Sequence, residues 1–241
     1  MALAVGDAAG IQRGSSVLDI GCGMGDSLLL WKRQYGCREV IGVNITESEC
    51  TAARQLVDGS CKVAHEDGIE YLKYTSDKVD VVVSVDALYH VDTRRAFLQQ
   101  VPIVLVDSSS GCFGAVDMFG SQDLMDINGD VPGFWALFRK SPTSCILLHF
   151  LSLSAGIPIE NLLYRSNQLA NLKSVSFMNR QVVTEKVFLP FSSYMFKQAA
   201  VEWKARKFYK FLYLSGAASF MHFVSITGLV EVVVYAVKFH N

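Results

Sequence analysis

Hydrophobic and polar positions follow two alternating patterns over the first 120 residues. Short, continuous apolar runs are typical of strands that are covered on both faces of a sheet. The stretches between them have the apolar spacing of helices. The runs predict strands at Ser16–Ile20, Val40–Val43, Lys62–Ala64, Val79–Val85 and Cys112–Phe119, and the spacings predict helices at Asp26–Tyr35, Glu47–Leu56 and Thr93–Leu105. This alternation predicts an α/β protein with a doubly wound, parallel sheet.

The pattern changes after residue 120. Residues 121–172 contain turn signals and helix-like apolar pieces without regular alternation, which indicates a helical insertion over the sheet rather than a second domain. Ser174–Val183 and Leu229–Phe239 have the pattern of final strands, and one long helix is predicted around Phe196–Tyr213 between them. That helix is basic on one side, which by itself is typical of a solvated face.

Composition and charge exclude some classes of partner. The chain has 22 basic and 23 acidic residues and a net charge of −1, so no basic excess is available to hold a nucleic-acid backbone. The six cysteines include no CxxC pair and no zinc-ligand spacing, so no metal site is predicted. Unpaired thiols and an N-terminus without a basic signal-peptide region favour a cytoplasmic location.

Two stretches without formal charge, Ser141–Ile159 and Leu212–Val230, are almost as long as a membrane span. Proline and glycine interrupt the first, and serine, glycine and histidine interrupt the second. We therefore expect an apolar surface that makes peripheral membrane contact rather than a spanning helix.

The most informative segment runs from Asp19 to Asp26 (DIGCGMGD), between a predicted strand and a predicted helix. Glycines in such a loop let a ligand approach the backbone and the helix N-terminus closely. In a dinucleotide fingerprint, a third glycine would stand where Asp26 is. A carboxylate there repels a pyrophosphate but suits a ligand that carries an ammonium group, and Asp19 adds a second acidic group.

The segment VLDIGCGMGDS (17–27) resembles the first motif of class I S-adenosylmethionine-dependent methyltransferases, particularly the natural-product and sugar O-methyltransferases. Further segments resemble later motifs of that family in the expected order: VIGVNIT (40–46), Glu66-Asp67-Gly68, SVDALYH (84–90), AVDMF (115–119) and Leu229–Lys238. The resemblance covers roughly residues 8 to 239. It implies a Rossmann-like, mostly parallel sheet with an antiparallel closing strand and a helical insertion before the last two strands.

The resemblance also implies one methyltransferase domain over residues 1–241. Its parts would be a cofactor-binding half (1–120), a helical cap over the substrate (121–172), and the closing strands and helix (173–241). The cofactor would be S-adenosylmethionine, with S-adenosylhomocysteine as the product. The cofactor-binding residues that it implies are Asp19, Gly21, Cys22, Gly23, Gly25, Asn44, Ile45, Glu66, Asp67, Gly68 and Asp86.

One of these positions departs from the family pattern. The residue that ends the second strand commonly carries a carboxylate, which bonds the ribose hydroxyls, and this chain has Asn44 there. An amide can also bond a hydroxyl group.

Methyl transfer to a hydroxyl requires alignment of donor and acceptor and removal of one proton. His90 follows the fourth strand and is predicted to be the general base, and Asp117 of the fifth strand is predicted to orient the histidine or the acceptor. The alternative for both is polar anchoring of the strand ends. Tyr89 and Trp135 are predicted to contact the acceptor. The aromatic content of the cap indicates either a pocket for an apolar small molecule or residues that simply belong to the core.

Three functions are compatible with these features. The first is methylation of an oxygen, or less readily of nitrogen or carbon, on an apolar small molecule. The second is non-catalytic binding of the cofactor in a regulatory or scaffold protein. It is motivated by Asn44 and by the N-terminus, because only about fifteen residues precede the first strand, where members of the resembling family usually carry a further helical segment that helps to close the site. That lid could come from a partner subunit in a homodimer, from the insertion at 121–172, or be missing. The third, a dinucleotide oxidoreductase, is disfavoured by Asp26.

Overall fold

A single sheet organises the molecule. The structure is a computed structural model that describes residues 1–92, 94–106, 111–120, 142–163 and 175–239. Within these residues the strands are β1 (Ser16–Ile20), β2 (Glu39–Asn44), β3 (Lys62–His65), β4 (Val81–Val85), β5 (Cys112–Gly120), β6 (Val175–Val182) and β7 (Val230–Phe239).

Helices connect and cover the strands. They are α1 (Ala2–Ala8), α2 (Asp26–Leu29), α3 (Glu47–Val57), α4 (Gly68–Tyr74), α5 (Arg94–Val104), α6 (Pro142–Ala155), α7 (Ile159–Leu163), α8 (Thr184–Lys204) and α9 (Phe208–Thr227). None of the helices in these described ranges is long and apolar enough to cross a membrane.

The sheet has the strand order β3-β2-β1-β4-β5-β7-β6. Strands β1 to β5 are parallel, whereas β7 is antiparallel to both of its neighbours. Strand order reverses between β1 and β4, and ligands of open α/β sheets bind at the carboxyl ends of strands beside such a reversal. The predicted fold class, a Rossmann-like and mostly parallel sheet with an antiparallel closing strand, is confirmed.

Both faces of the sheet are buried, which explains the continuous apolar runs in the sequence. In β1, Val17 packs into one hydrophobic core cluster and Leu18 into the cluster on the other side. Helix α1 lies directly on β5, since a Cβ atom on Gly114 would come 2.7 Å from Cβ of Ala9. The segment before the first strand is therefore part of the core.

Two predicted helices differ from the structure. The helix predicted at Asp26–Tyr35 is α2 followed by a π-helical turn, Leu30–Gln34. The long helix predicted around Phe196–Tyr213 is instead the junction of α8 and α9, where Arg206 adopts a φ of 57°. The apolar residues have helical spacing on both sides of the junction. The periodicity of the sequence therefore did not reveal that the chain reverses direction there. Of the predicted cap, α6 and α7 are described, and the rest lies outside the described residues.

Candidate active site

A cleft of about 1240 Å³ opens at the carboxyl edge of the sheet, where strand order reverses. The loop after β1 forms its floor, and the ends of β2 and β4 form its sides. The predicted cofactor residues that line it are Gly21, Cys22, Gly23, Asn44, Ile45, Glu66, Asp67, Gly68 and Asp86. The topology therefore brings together segments that are far apart in the sequence.

Close packing explains the spacing of the glycine loop. Gly21, Gly23 and Gly25 all have positive φ angles, of 81°, 53° and 95°. A Cβ atom on Gly25 would lie 3.0 Å from Cβ of Ala53, so a side chain there would push α3 away. At Gly23 the same atom would meet nothing within 4 Å. The backbone at Gly23 is thus open to a ligand, whereas Gly25 serves the packing of the loop.

Asp19 lies beneath this loop and is fully buried. Its Oδ2 accepts a hydrogen bond from Nε1 of Trp31 at 2.7 Å, and its Oδ1 has no hydrogen-bond partner among the described residues. Burial raises the pKa of this carboxyl from 3.8 to about 6, against the lowering effect of the Ser27 and Trp31 side chains. The Asp19 carboxylate therefore influences the cleft by its electric field from behind the loop and does not form part of the wall.

The walls of the cleft are strongly acidic. Against these carboxylates the lining provides one lysine, Lys73, and the imidazole of His90. The acidic lining residues are Asp26, Glu49, Glu66, Asp67, Glu70, Asp86 and Asp92. An anionic ligand such as a pyrophosphate would be repelled here, whereas a ligand with positive charge would be attracted.

Glu49 is a site residue that the sequence reasoning missed. It lies in the first turn of α3, and its Oε2 accepts a hydrogen bond from Nδ2 of Asn44 at 2.6 Å. Oδ1 of Asn44 in turn accepts from the backbone N–H of Ile45 at 3.0 Å. The Ile45 backbone thus fixes the Asn44 side chain, which in turn holds the Glu49 carboxylate at the wall of the cleft. The sequence signal that could have identified Glu49 is a carboxylate five residues after the end of the second strand.

The remaining predicted cofactor residues have defined structural tasks. Asp67 caps α4 by accepting from the backbone N–H groups of Ile69 and Glu70, at 2.9 and 3.1 Å. A Cβ atom on Gly68 would lie 2.6 Å from Cγ2 of Ile20, so only glycine fits against β1. These contacts fix the turn after β3 at the wall of the cleft.

The turn after β4 carries three of the predicted residues. Tyr89 Oη donates to Oδ1 of Asp86 at 2.7 Å, and burial raises the pKa of both groups. Tyr89 is half-buried and packs its ring against His90, with 4.5 Å between the ring centroids. Asp86 and His90 line the cleft, whereas the Tyr89 side chain lies behind them.

His90 has a hydrogen-bond partner that orients its ring. Its Nδ1 lies 3.2 Å from the carbonyl oxygen of Gly156. Because a carbonyl only accepts, Nδ1 must carry the proton of this bond, and neutral His90 then has an unprotonated Nε2. A histidine in this tautomer is suited to remove a proton from a ligand in the cleft.

The predicted pairing of His90 with Asp117 is not formed. Asp117 is fully buried, and its Oδ2 lies 2.6 Å from Nε of Arg94. Nη2 of Arg94 donates to Oδ1 at 2.9 Å, and Oη of Tyr235 donates to Oδ2 at 3.2 Å. Both carboxylate oxygens are thus occupied in the core, which corresponds to the alternative of a polar anchor at the strand end.

Arg94, a second residue that the sequence reasoning missed, connects this anchor to the turn that carries His90. Its Nη1 donates to the backbone carbonyl of Asn161 in α7 at 3.3 Å. The side chain of Asn161 donates to the carbonyls of Tyr89 and Val91, at 2.9 and 2.7 Å. A continuous hydrogen-bonded network therefore runs from β5 through Arg94 and Asn161 to both sides of His90.

Two further predictions concern residues or sites elsewhere. Trp135, the predicted acceptor contact, lies outside the described residues. Among the residues that the structure describes, no group of three or more His, Cys, Asp or Glu side chains is arranged to hold a metal ion. Cys22 lies in the loop with its side chain buried, and burial raises the pKa of its thiol well above the ordinary value.

Sequence comparison agrees with the motifs in the first half of the chain. Residues 17–108 match the model of a family described as a methyltransferase domain. The chain is 25% identical over 201 residues to the erythromycin 3''-O-methyltransferase of Saccharopolyspora erythraea, a match that covers 80% of this chain and 60% of that protein. It is 32% identical over 90 residues to the 2-methyl-6-phytyl-1,4-hydroquinone methyltransferase of Synechocystis, covering 36% of this chain and 28% of that protein. The chain thus spans less than two thirds of the length of these relatives.

Structural comparison extends over the whole chain. The cyclopropane synthase MmaA2 from Mycobacterium tuberculosis superimposes with a TM-score of 0.67 at 18% sequence identity. The superposition covers 98% of this chain and 81% of the synthase. At this level of identity the similarity concerns the fold.

Proposed function

We propose that this chain is a class I methyltransferase that binds S-adenosylmethionine and methylates an apolar small molecule, with the methyltransferase-domain match over residues 17–108 and the sheet topology as support. The methyl group would go to an oxygen atom. The observation that carries the proposal is the acidic cleft around an open glycine loop, at the edge of the sheet where strand order reverses.

The charge of the cleft fits this cofactor and opposes a dinucleotide. S-adenosylmethionine carries a sulfonium and an ammonium group against one carboxylate, so its net charge is positive. The open backbone at Gly23 provides room for the methionine part, and the unpartnered Oδ1 of Asp19 lies beneath it as a further source of negative field. A pyrophosphate in the same place would meet Asp26 and its acidic neighbours.

Glu49 would take the position of the acidic group that other class I members commonly have at the end of the second strand. The ribose hydroxyls of the cofactor can donate to its carboxylate, while Asn44 holds that carboxylate from the other side at 2.6 Å. The turn formed by Glu66, Asp67 and Gly68 would then face the adenine. The departure at Asn44 is in this way compensated within the same cleft.

When bound, the cofactor supplies an electrophilic methyl group on its sulfonium sulfur. The role of this chain is to align the acceptor, exclude water and take up one proton. The acceptor oxygen would take this methyl group, and its hydroxyl proton would pass to Nε2 of His90. Gly156 holds the imidazole in the tautomer that accepts this proton.

Apolar residues among the lining of the cleft support an apolar acceptor. Val85, Val91 and Ala96 line the cleft in the segment that also carries Asp86, His90 and Asp92. Among the relatives, the erythromycin enzyme is named an O-methyltransferase and the Synechocystis enzyme acts on a phytyl hydroquinone. Both names are compatible with a bulky acceptor that carries a hydroxyl group.

Calorimetric titration with S-adenosylhomocysteine tests the cofactor half of the proposal, and a separate titration with NADH is the control. We expect micromolar binding of S-adenosylhomocysteine and no binding of NADH. Gly23→Asp should abolish binding because it places a side chain in the open part of the loop. Gly59→Asp is the matched control, because Gly59 also has a positive φ, of 73°, and open space at its Cβ position but lies outside the cleft lining.

Absence of S-adenosylhomocysteine binding in a folded protein, or binding of NADH in its place, would overturn the cofactor assignment. Transfer itself is tested by incubating the protein with a methyl-labelled donor and a set of apolar hydroxylated compounds. Binding without transfer to any acceptor would favour the non-catalytic alternative. Label recovered on carbon or nitrogen would correct the assignment of the acceptor atom.

A further inference from the structure

Helices α8 and α9 form a helical hairpin, residues 184–227, whose two ends are fixed at one edge of the sheet. The hairpin starts after Val182, which pairs with Val233, and it ends before Val230, which pairs with Gly120 at the end of β5. Both ends therefore lie at the carboxyl edge, the edge at which the cleft opens. The tip of the hairpin is the turn between α8 and α9, around Arg206.

An aromatic cluster occupies this tip. The ring of Trp203 lies 4.8 Å from that of Phe211 and 6.0 Å from that of Phe208, measured between centroids. Trp203 and Phe208 are nevertheless more than half exposed, and the neighbouring Tyr209 is 82% exposed. Large aromatic side chains grouped at a surface are typical of a site that contacts another apolar phase.

Basic residues are concentrated around the cluster. Residues 202–210 contain four of them, Lys204, Arg206, Lys207 and Lys210, and one acidic residue, Glu202, whose carboxylate lies 3.8 Å from Nζ of Lys207. The rest of the hairpin carries Glu185, Lys186 and Lys197. The tip thus has a local excess of positive charge in a chain whose net charge is −1.

The exposed face of α9 is apolar next to the basic tip. Tyr209, Leu212 and Tyr213 are each more than half exposed there, and Ile226 is so at the far end of the helix. The exposed positions between them include Gly216, Ser219 and His222, and no lysine, arginine, aspartate or glutamate occurs from Phe211 to Val230. The hairpin therefore has an apolar stripe, Tyr209, Leu212 and Tyr213, beside its aromatic and basic tip.

We propose that this hairpin docks the protein on an anionic lipid bilayer, with the tip at the headgroups and the apolar stripe of α9 toward the acyl chains. Aromatic rings and lysines are the side chains that settle at the boundary between headgroups and hydrocarbon. Each basic residue near an anionic surface adds about a fivefold increase in partitioning. The proposal depends on the hairpin alone and not on the cofactor site.

Charge and apolar content together favour a bilayer over the other occupants. A second copy that packs tip against tip would bring two basic clusters together, which is unfavourable. A nucleic acid would be attracted by the lysines but would gain little from Leu212 or Ile226, since its contacts are made to phosphates and flat bases. An anionic lipid surface complements both the basic tip and the apolar stripe.

Co-sedimentation with vesicles tests the proposal on the full chain. Phosphatidylcholine vesicles with and without phosphatidylserine are compared, at low and at high salt. We expect binding to the phosphatidylserine vesicles that weakens as salt is added, and little binding to phosphatidylcholine alone. The double variant Lys207→Gln/Lys210→Gln should weaken vesicle binding more than tenfold. The control double variant Arg33→Gln/Arg95→Gln removes the same amount of charge outside the hairpin and should not weaken vesicle binding.

A second pair of variants separates apolar insertion from charge. Tyr209→Ser should weaken vesicle binding severalfold, whereas Tyr74→Ser, which alters a tyrosine of matching exposure on α4, should leave it unchanged. Gly23→Asp should bind vesicles as the unaltered protein does, so failure of the cofactor site would leave this result intact. Circular dichroism establishes that each variant is folded.

Three results would overturn the proposal. One is absence of sedimentation with either vesicle in a folded protein. Another is an equal loss in both charge variants, because binding would then reflect general charge rather than the hairpin. The third is absence of vesicle binding in a protein that instead self-associates in sedimentation velocity or retains a single-stranded oligonucleotide. In that case Tyr209→Ser would remove the self-association or the oligonucleotide binding.

Discussion

Nε of Arg94 lies 2.6 Å from Oδ2 of Asp117, and both side chains are withdrawn almost completely from solvent, with exposures of 1% and 0%. The guanidinium also stacks over the ring of Phe119, 4.4 Å from its centroid. This pair replaces the expected contact between Asp117 and His90. It positions the turn that carries His90 from within the core, through Asn161, and does not line the cleft.

Arg94→Gln should destabilise the fold strongly, because it leaves the Asp117 carboxylate buried without a counter-charge. We expect the free energy of unfolding to fall by about 3–5 kcal/mol. Arg38→Gln removes one half of the Arg38–Asp80 pair, whose side chains are 61% and 39% exposed, and should cost less than about 1 kcal/mol. Urea denaturation of both variants measures the difference, and equal losses would contradict the structural role of the buried pair.

Glu49→Gln should weaken binding of S-adenosylhomocysteine about tenfold, since a neutral amide accepts a hydroxyl hydrogen bond less strongly than a carboxylate. Glu47→Gln is its control in the same turn of α3, because Glu47 pairs with Arg54 and lies outside the cleft lining. Calorimetry gives both affinities. Unchanged affinity in Glu49→Gln would return the ribose contact to Asn44.

His90→Gln should lower the rate of methyl transfer about 10²- to 10⁴-fold, which is the usual contribution of a positioned general base. The affinity for S-adenosylhomocysteine should not change, because the proton is taken from the acceptor and not from the cofactor. His222→Gln, on the exposed side of α9, should leave the rate as it is. A normal rate in His90→Gln would assign proton removal to another group.

Asp19 should make stability depend on pH in the direction opposite to most carboxylates. Its pKa is about 6 in the folded protein against an ordinary 3.8, so the folded state binds more protons between these values. Raising the pH through this window therefore lowers the free energy of unfolding, by about 3 kcal/mol once the window is passed.

Asp19→Asn keeps an acceptor for Trp31 and removes the charge, so its unfolding free energy should not show this decline. The difference between variant and unaltered protein should grow in favour of the variant from about pH 4 to about pH 6 and then level off. Chemical denaturation at several pH values measures it. A difference that stays constant would show that the Asp19 carboxyl titrates normally when folded.

The sequence predicted the elements that depend on local pattern. The apolar run Ser16–Ile20 is β1 to the residue, because burial on both sheet faces leaves a signal within the run itself. The glycine loop is similarly local, since its strand, its turn and its helix start are neighbours in the chain. Val79, predicted within the fourth strand, instead forms an isolated bridge with Leu105 ahead of β4.

Side-chain partners across long separations were not predictable in this way. Arg94 has the sequence context of a surface arginine on an amphipathic helix, and only the approach of β5 buries it against Asp117. Glu49 was overlooked for a related reason, because its contact with Asn44 depends on how α3 returns to β2. The roles assigned to the cleft residues stay predictions until binding and transfer are measured.

The place of β7 in the sheet constrains how a nascent chain can mature. Strand β5 pairs with β4 on one side and with Val230–Phe239 on the other. During synthesis β5 emerges more than a hundred residues before that second neighbour does, and its edge stays unpaired for all of this time. Tyr235, which donates to Asp117, also arrives only then. A ribosome that stalls within the helical hairpin would thus hold a nascent chain with an open sheet edge, a target for chaperones and for aggregation.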